Sequence, residues 1–365
     1  MPCLKTTARW ALMCGLLGGA GAAQAAGPVD PASLQTLSRA ALGVADNRAD
    51  ETDQRMSLYR RAVGGPAALG QNGQGQNGQG QIFNRLLVSD PSKPSSLYLS
   101  LNGIQGYRDS VGAQQGLDFN DFNATVGVDR RFGDNWLFGA SLGYGGGQDK
   151  SSGNIVTADR TTQTATIYGT FEKGRLFVTG DAFWSWNRYD EIHRTSLNGS
   201  IANAKANGAA WGGSVTSGMM FGLGPTRLGP IAGFHATGAQ IDAFTETGAG
   251  ASNARWSDQR SSSFSTQLGG EMQYSGVPSQ WLAPRLRLAW DHRLGQTQRD
   301  VTATLISSPA TQVRASAVRE SAERLRARVS FGGVLAPGLS GGIDYETVYG
   351  GGFDQRLSAQ LHLAF

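Results

Sequence analysis

The sequence predicts an all-β fold: a transmembrane antiparallel barrel of twelve strands, with an N-terminal α-helix expected in its lumen. Three observations carry this. The chain ends on Leu357, Ala359, Leu361, Leu363 and Phe365 alternating with Ser358, Gln360 and His362, the apolar and polar faces of one strand. From Ser95 onward, eleven further segments of the same period precede it. The connections between segments alternate between tight turns and mostly longer polar stretches, as in a barrel with short turns on one side of a membrane and long loops on the other.

The amino terminus reads as an export signal. Lys5 and Arg9 precede an apolar run from Trp10 to Ala23, and Ala23-Gln24-Ala25 is a small-x-small cleavage site, so residues 1–25 are expected to be removed. Cys14 raises a lipoprotein alternative, but Met13 stands where that processing needs a small residue. Both cysteines, Cys3 and Cys14, lie in the signal, so the mature chain offers no disulfide, thiolate metal site or cysteine nucleophile. A short helical segment is expected within 26–69: Pro31 and Ser33 can start a helix, and Leu34, Leu37, Ala41, Leu42 and Ala45 fall at helical spacing. The following stretch, Asp46 to Arg61, is polar with paired charges. Residues 70–94 read as a linker, because the Gly/Gln/Asn tract of 70–81 has nothing apolar to pack.

Composition narrows the class. No stretch supplies eighteen consecutive apolar residues, so no spanning helix is expected. The formal charge of +4 falls to +2 when Lys5 and Arg9 leave with the signal, too little and too dispersed for nucleic acid.

The barrel domain covers 95–365, with strands expected at roughly 95–107, 118–132, 135–148, 158–172, 175–190, 206–222, 226–243, 257–274, 281–295, 319–335, 339–349 and 353–365. Leu286, Leu288 and Trp290 alternate with Arg285, Arg287 and Asp291; Leu325, Ala327 and Val329 alternate with Arg324, Arg326 and Arg328. Arginines at every second place cannot face a dry core, whereas a polar lumen supplies water and carboxylates. The expected lumen-facing set is Arg285, Arg287, Asp291, Arg324, Arg326, Arg328, Asp344, Glu346 and Arg356. Trp136, Tyr144, Trp184, Trp186, Trp211, Trp281 and Trp290 suit an interfacial girdle. Tight turns at 133–135, 173–175 and 336–339 are expected in the periplasm; 191–205, 244–256 and 296–318 are expected outside the cell.

With strands and turns laid out, 95–365 resembles the translocator domain of monomeric (type Va) autotransporters. The stretches concerned are Phe122 to Asn135, Leu142-Gly143-Tyr144, Trp184 to Asp190, Ile241 to Gly248 (similar to the family's acidic motif after its seventh strand), Pro284 to His292, and the Phe365 ending. Gln54 to Arg60 is similar to the end of the family's lumenal helix. The resemblance implies an outer-membrane location, and it marks Phe365, Leu363 and Leu361 as the signal read during assembly. Partners are then membrane lipid, the barrel-assembly machinery and periplasmic chaperones, with the barrel a monomer. One departure is that only about 70 residues separate Ala25 from the first strand, where family members usually carry a passenger of several hundred.

Catalysis finds little support. Gly139-Ala140-Ser141-Leu142-Gly143 matches G-x-S-x-G, but that motif needs a strand-to-helix turn and here falls inside the third strand. No Gly-Asp-Ser-Leu esterase block occurs, and His193, His235, His292 and His362 lack metal-ligand spacing. Asp291 and His292, adjacent on a strand, face opposite sides. Asp46-Asn47 is a weak candidate for self-cleavage in the lumen. The expected function is anchoring and translocation of the chain's own N-terminal segment, with no catalysis, cofactor or metal. The alternative is an outer-membrane adhesin or structural barrel acting through its surface loops.

Overall fold

The computed structural model describes residues 29–30, 35–48, 94–112, 115–274, 283–298, 300–315, 321–336 and 338–365. The expected signal, the linker tract and the helical segment beyond residue 48 lie outside the described residues, as do Trp281 and the turn at 275–278.

Twelve strands form one wall: β1 (Ser95–Arg108), β2 (Leu117–Phe132), β3 (Trp136–Ser151), β4 (Val156–Lys173), β5 (Leu176–Thr195), β6 (Ile201–Met219, resumed over Phe221–Leu223), β7 (Thr226–Ile241), β8 (Gln259–Tyr274), β9 (Ala283–Gln298), β10 (Glu323–Ala336), β11 (Leu339–Tyr349) and β12 (Gly352–Ala364). Each pairs antiparallel with its neighbours in sequence, and β12 returns to β1 through Leu97↔Leu363 and Leu99↔Leu361. The seam closes at the chain end, where the Phe365 N–H donates to the Ser95 carbonyl at 3.0 Å. A closed ladder leaves no strand edge, which a lipid environment requires.

Side-chain parity explains the wall. Leu97, Leu99 and Leu101 point outward and stay exposed, while Ser96, Tyr98, Ser100 and Asn102 turn inward and are buried. Outward positions of every barrel strand carry exposed apolar side chains, among them Val126, Ile167, Leu288 and Phe331. Inside, aromatic rings lie flat over cross-strand glycines: Tyr98 over Gly127, Tyr168 over Gly139 and Phe183 over Gly212. A Cβ at Gly127 would overlap the Tyr98 ring, so the glycine is a slot for it.

The connections at one end depart from expectation. The stretches 149–157 and 191–205 are mostly ladder: β3 runs to Ser151, β4 starts at Val156, and the β5–β6 hairpin turns only over 196–200. Apolar alternation stops there because the outward side carries Arg188, Glu191 and Lys205, which suit water beyond the hydrocarbon. The stretches 244–256 and 296–318 are folded as well. They hold four short strands, Phe244–Thr245, Ala254–Trp256, Val301–Leu305 and Gln312–Ala315, which pair into a second sheet. Each segment is too short for its apolar alternation to stand out from a polar loop, but together they bury one face.

Residues 36–48 form an α-helix inside the barrel. Leu37, Ala40, Ala41, Val44 and Ala45, at three- and four-residue spacing, are all buried.

Candidate functional site: the plugged lumen

The helix is buried on every side, including Thr36, Ser38, Arg39, Asn47 and Arg48, so it occupies the bore. Its two ends meet different levels of the barrel. Gln35 donates to the Ala315 carbonyl (3.1 Å), and Arg39 donates to the carbonyls of Gln115 (2.7 Å) and Asp109 (3.0 Å), all in the connections at the long-loop end. Asp46 and Asn47, about two turns beyond Arg39, reach the strands themselves. Thr237 donates to Asp46 Oδ1 (2.7 Å), while Arg324 and Arg293 stand 3.5 and 3.6 Å from Oδ2. Arg356 donates to both the Asn47 carbonyl (3.1 Å) and Asn47 Oδ1 (3.2 Å).

The wall around this end is a charged network on β8 to β12. Arg326 donates to Asp291 Oδ2 (3.1 and 3.2 Å) and to Glu346 Oε1 (2.8 Å), and Arg328 Nε donates to Glu346 Oε2 (2.6 Å). Arg285 pairs with Glu271, and Arg287 with Gln267, which itself donates to Asp291 (2.8 Å). Asp344 is fully buried, opposite Ser330 and Ser358 in the ladder. All nine residues expected in the lumen thus point inward, and the network joins Asp291, Arg326, Arg328, Glu346 and Arg356. Buried guanidinium–carboxylate pairs cost desolvation and hold only when fully hydrogen-bonded, so the network fixes geometry more than it adds stability. On the opposite wall a neutral band, with Asn102, Asn123, Thr162, Thr164, Ser185 and Asn187 buried, lies beside separate charged clusters.

Two buried ion clusters escaped the sequence reading. Arg160 bridges Asp149 (2.5 Å) and Asp121 (2.9 Å) across β2 to β4. Arg194 on β5 pairs with Glu246 at 2.6 Å. Asp149 and Arg194 both lie in stretches read as loop, and only strand parity carried further would have turned them inward. The catalytic candidates find no constellation. Ser141 sits mid-strand in β3, and His292 faces outward to Glu323 (2.8 Å) while Asp291 faces inward. Among the described residues, no group of three His, Cys, Asp or Glu side chains is placed to hold a metal ion. Leu361, Leu363 and Phe365 are exposed on the outer face of the closing seam.

The comparisons agree with this geometry. Residues 97–346 match the family described as Autotransporter beta-domain. The fold is similar to the translocator domain of NalP from Neisseria meningitidis, with a TM-score of 0.65 at 15% identity over 92% of this chain and 100% of that one. It is also similar to the beta domain of the Bordetella autotransporter BrkA, at TM-score 0.53 and 15% identity over 74% of this chain and 100% of that one. In sequence, the putative uncharacterized protein YaiT of Escherichia coli K12 is 27% identical over 289 residues, 72% of this chain and 28% of YaiT. The esterase EstA of Pseudomonas aeruginosa is 23% identical over 265 residues, 70% of this chain and 40% of EstA. The chain therefore spans well under half the length of these curated relatives. A closed twelve-stranded barrel with an N-terminal helix, matched by the family over most of its wall, belongs to the autotransporter beta-domain family of outer-membrane translocator barrels.

Proposed function

We propose that this barrel carries its own N-terminal segment outward through the lumen and then anchors it, performing no catalysis. The direction of the helix supports this reading most. Residue 35 lies among the long connections, whereas residue 48 lies deeper. The barrel wall begins at the opposite end, where the Arg131 N–H donates to the Pro94 carbonyl (2.8 Å). A chain threaded from the short-turn end with its N-terminus leading would come to rest this way. Signal-directed export of residues 1–25 delivers the chain to the periplasm, chaperones hold it there, and the assembly machinery reads Leu361, Leu363 and Phe365 before the monomeric barrel meets lipid.

An epitope-bearing unstructured extension fused ahead of Val29 tests this. Antibody should bind intact cells expressing the fusion. Binding only after permeabilisation of the outer membrane would overturn export. The folded sheet in the outer connections favours a second reading, an adhesin or structural barrel, which survives that negative result.

A further inference from the structure

Over the helix, the outer connections close into a roof. Its strands run in the order Gln312–Ala315, Val301–Leu305, Ala254–Trp256 and Phe244–Thr245, and an Asn203–Thr247 bridge ties the last connection to β6. Alternation splits the sheet: Trp256, Val301, Ala303 and Leu305 are buried beneath, while Arg255, Thr302 and Thr304 remain on the outer side. The underside is not a core by itself. It packs in one apolar cluster with Val29, with Leu37, Ala41 and Ala45 of the helix, and with wall residues such as Val156, Tyr189 and Ile241, so the helix fills the middle of a core that roof and wall surround. Without the helix this sheet would present its apolar face to an aqueous bore.

A polar fastening lies beside the cluster. Arg194 donates through Nε and Nη2 to the two oxygens of Glu246 (2.8 and 2.6 Å), and Nη2 also reaches the Ser252 carbonyl (2.8 Å). Glu246 accepts the Ala254 N–H as well (2.9 Å). A single buried pair therefore ties the connection 242–258 to β5 at several points, and removing either partner strands the other charge away from water.

We propose that the roof is a gate shut over the leading end of the plug, with a core that the helix completes and an Arg194–Glu246 pair as its latch, so that the chain at Val29 is shielded from the cell exterior. The gate folds once the helix is seated, because until then the side of its core that faces the bore is missing. This inference rests on the helix lying in the lumen and not on how it arrived there.

Cysteine labelling of the purified, detergent-solubilised barrel tests it, since reagent then reaches both ends. The only native cysteines, Cys3 and Cys14, fall in the expected signal. Val29→Cys should react with a charged maleimide at least about tenfold more slowly than Ala310→Cys, which is exposed on the roof in the connection 296–318. Adding Glu246→Ala should bring the Val29→Cys rate towards that of Ala310→Cys while the barrel keeps its heat-modifiable band. Independently, Ala303→Cys should be protected in the full chain and reactive once 36–48 are deleted. Equal rates at positions 29 and 310 in the otherwise unaltered chain, an Ala303→Cys still protected after the deletion, or shielding of Val29→Cys untouched by Glu246→Ala would each overturn the gate. If the fused extension reaches the surface yet Val29→Cys reacts freely, the gate fails and export stands. A shielded Val29→Cys with a periplasmic extension has the opposite meaning.

Discussion

At the residue scale, Leu288 and Ala289 sit side by side on β9 and meet different surroundings, lipid and lumen. Leu288→Arg should cost about 2–4 kcal/mol in urea unfolding of the barrel in lipid vesicles, whereas Leu288→Phe should be close to neutral. Equal costs would mean that Leu288 does not face lipid. From parity alone, Ala289→Arg would be expected to be cheap because the position faces the lumen. The structure corrects this: Ala289 is 3% exposed, and a Cβ on its partner Gly269 would stand 2.8 Å from its own. Arginine there overpacks the inner wall and should cost about 1–3 kcal/mol as well. The same reasoning makes Gly127→Val destabilising by about 1–3 kcal/mol, since its side chain would occupy the slot of the Tyr98 ring. Gly127→Val paired with Tyr98→Ala should recover part of that loss, and a purely additive double mutant would show that ring and glycine are not coupled. Which face a residue occupies was legible, because the period of two is set by the backbone. How tightly the inner face packs was not, because cross-strand register decides it.

At the element scale, the strands of the wall were the most legible part, each long enough to show its alternation against flanking Gly, Pro and Asn. The helix was legible over Leu37 to Ala45, where apolar spacing is helical. The roof was not. Its strands of two to five residues pair across separate connections, and their shared face exists only once the barrel brings 244–256 and 301–315 together. Arg194 and Glu246 are likewise far apart in sequence, and Asp149–Arg160 spans a turn that reads as loop. The seat of the helix makes its own prediction. Asp46 meets Arg293 and Arg324, so Asp46→Lys would set three cations together in a confined space. Helix docking should weaken by about 3 kcal/mol. Ala45→Cys, buried in the intact chain, should then become reactive towards maleimide in the Asp46→Lys background. Continued protection would mean that the apolar contacts of the helix hold it without this charge.

At the scale of the whole molecule, the barrel is a lipid-facing cylinder with a polar bore, its charge densest on the wall from β8 to β12, stoppered by the chain's own N-terminal helix. Lumen polarity and helix charge follow from residues visible in the sequence, while the direction of the helix in the bore comes from its contacts, Gln35 and Arg39 at the long-loop end and Asp46 and Asn47 on the strands. Membership of the autotransporter family accounts for the barrel, and occupation of the bore is what joins the barrel to translocation. Single-channel conductance in planar bilayers addresses that occupation most directly. Deleting residues 33–63 should leave a folded, heat-modifiable barrel whose conductance rises severalfold over the nearly closed full-length chain. A deleted barrel that remains folded but conducts no more than the intact protein would contradict the plugged lumen on which the account stands.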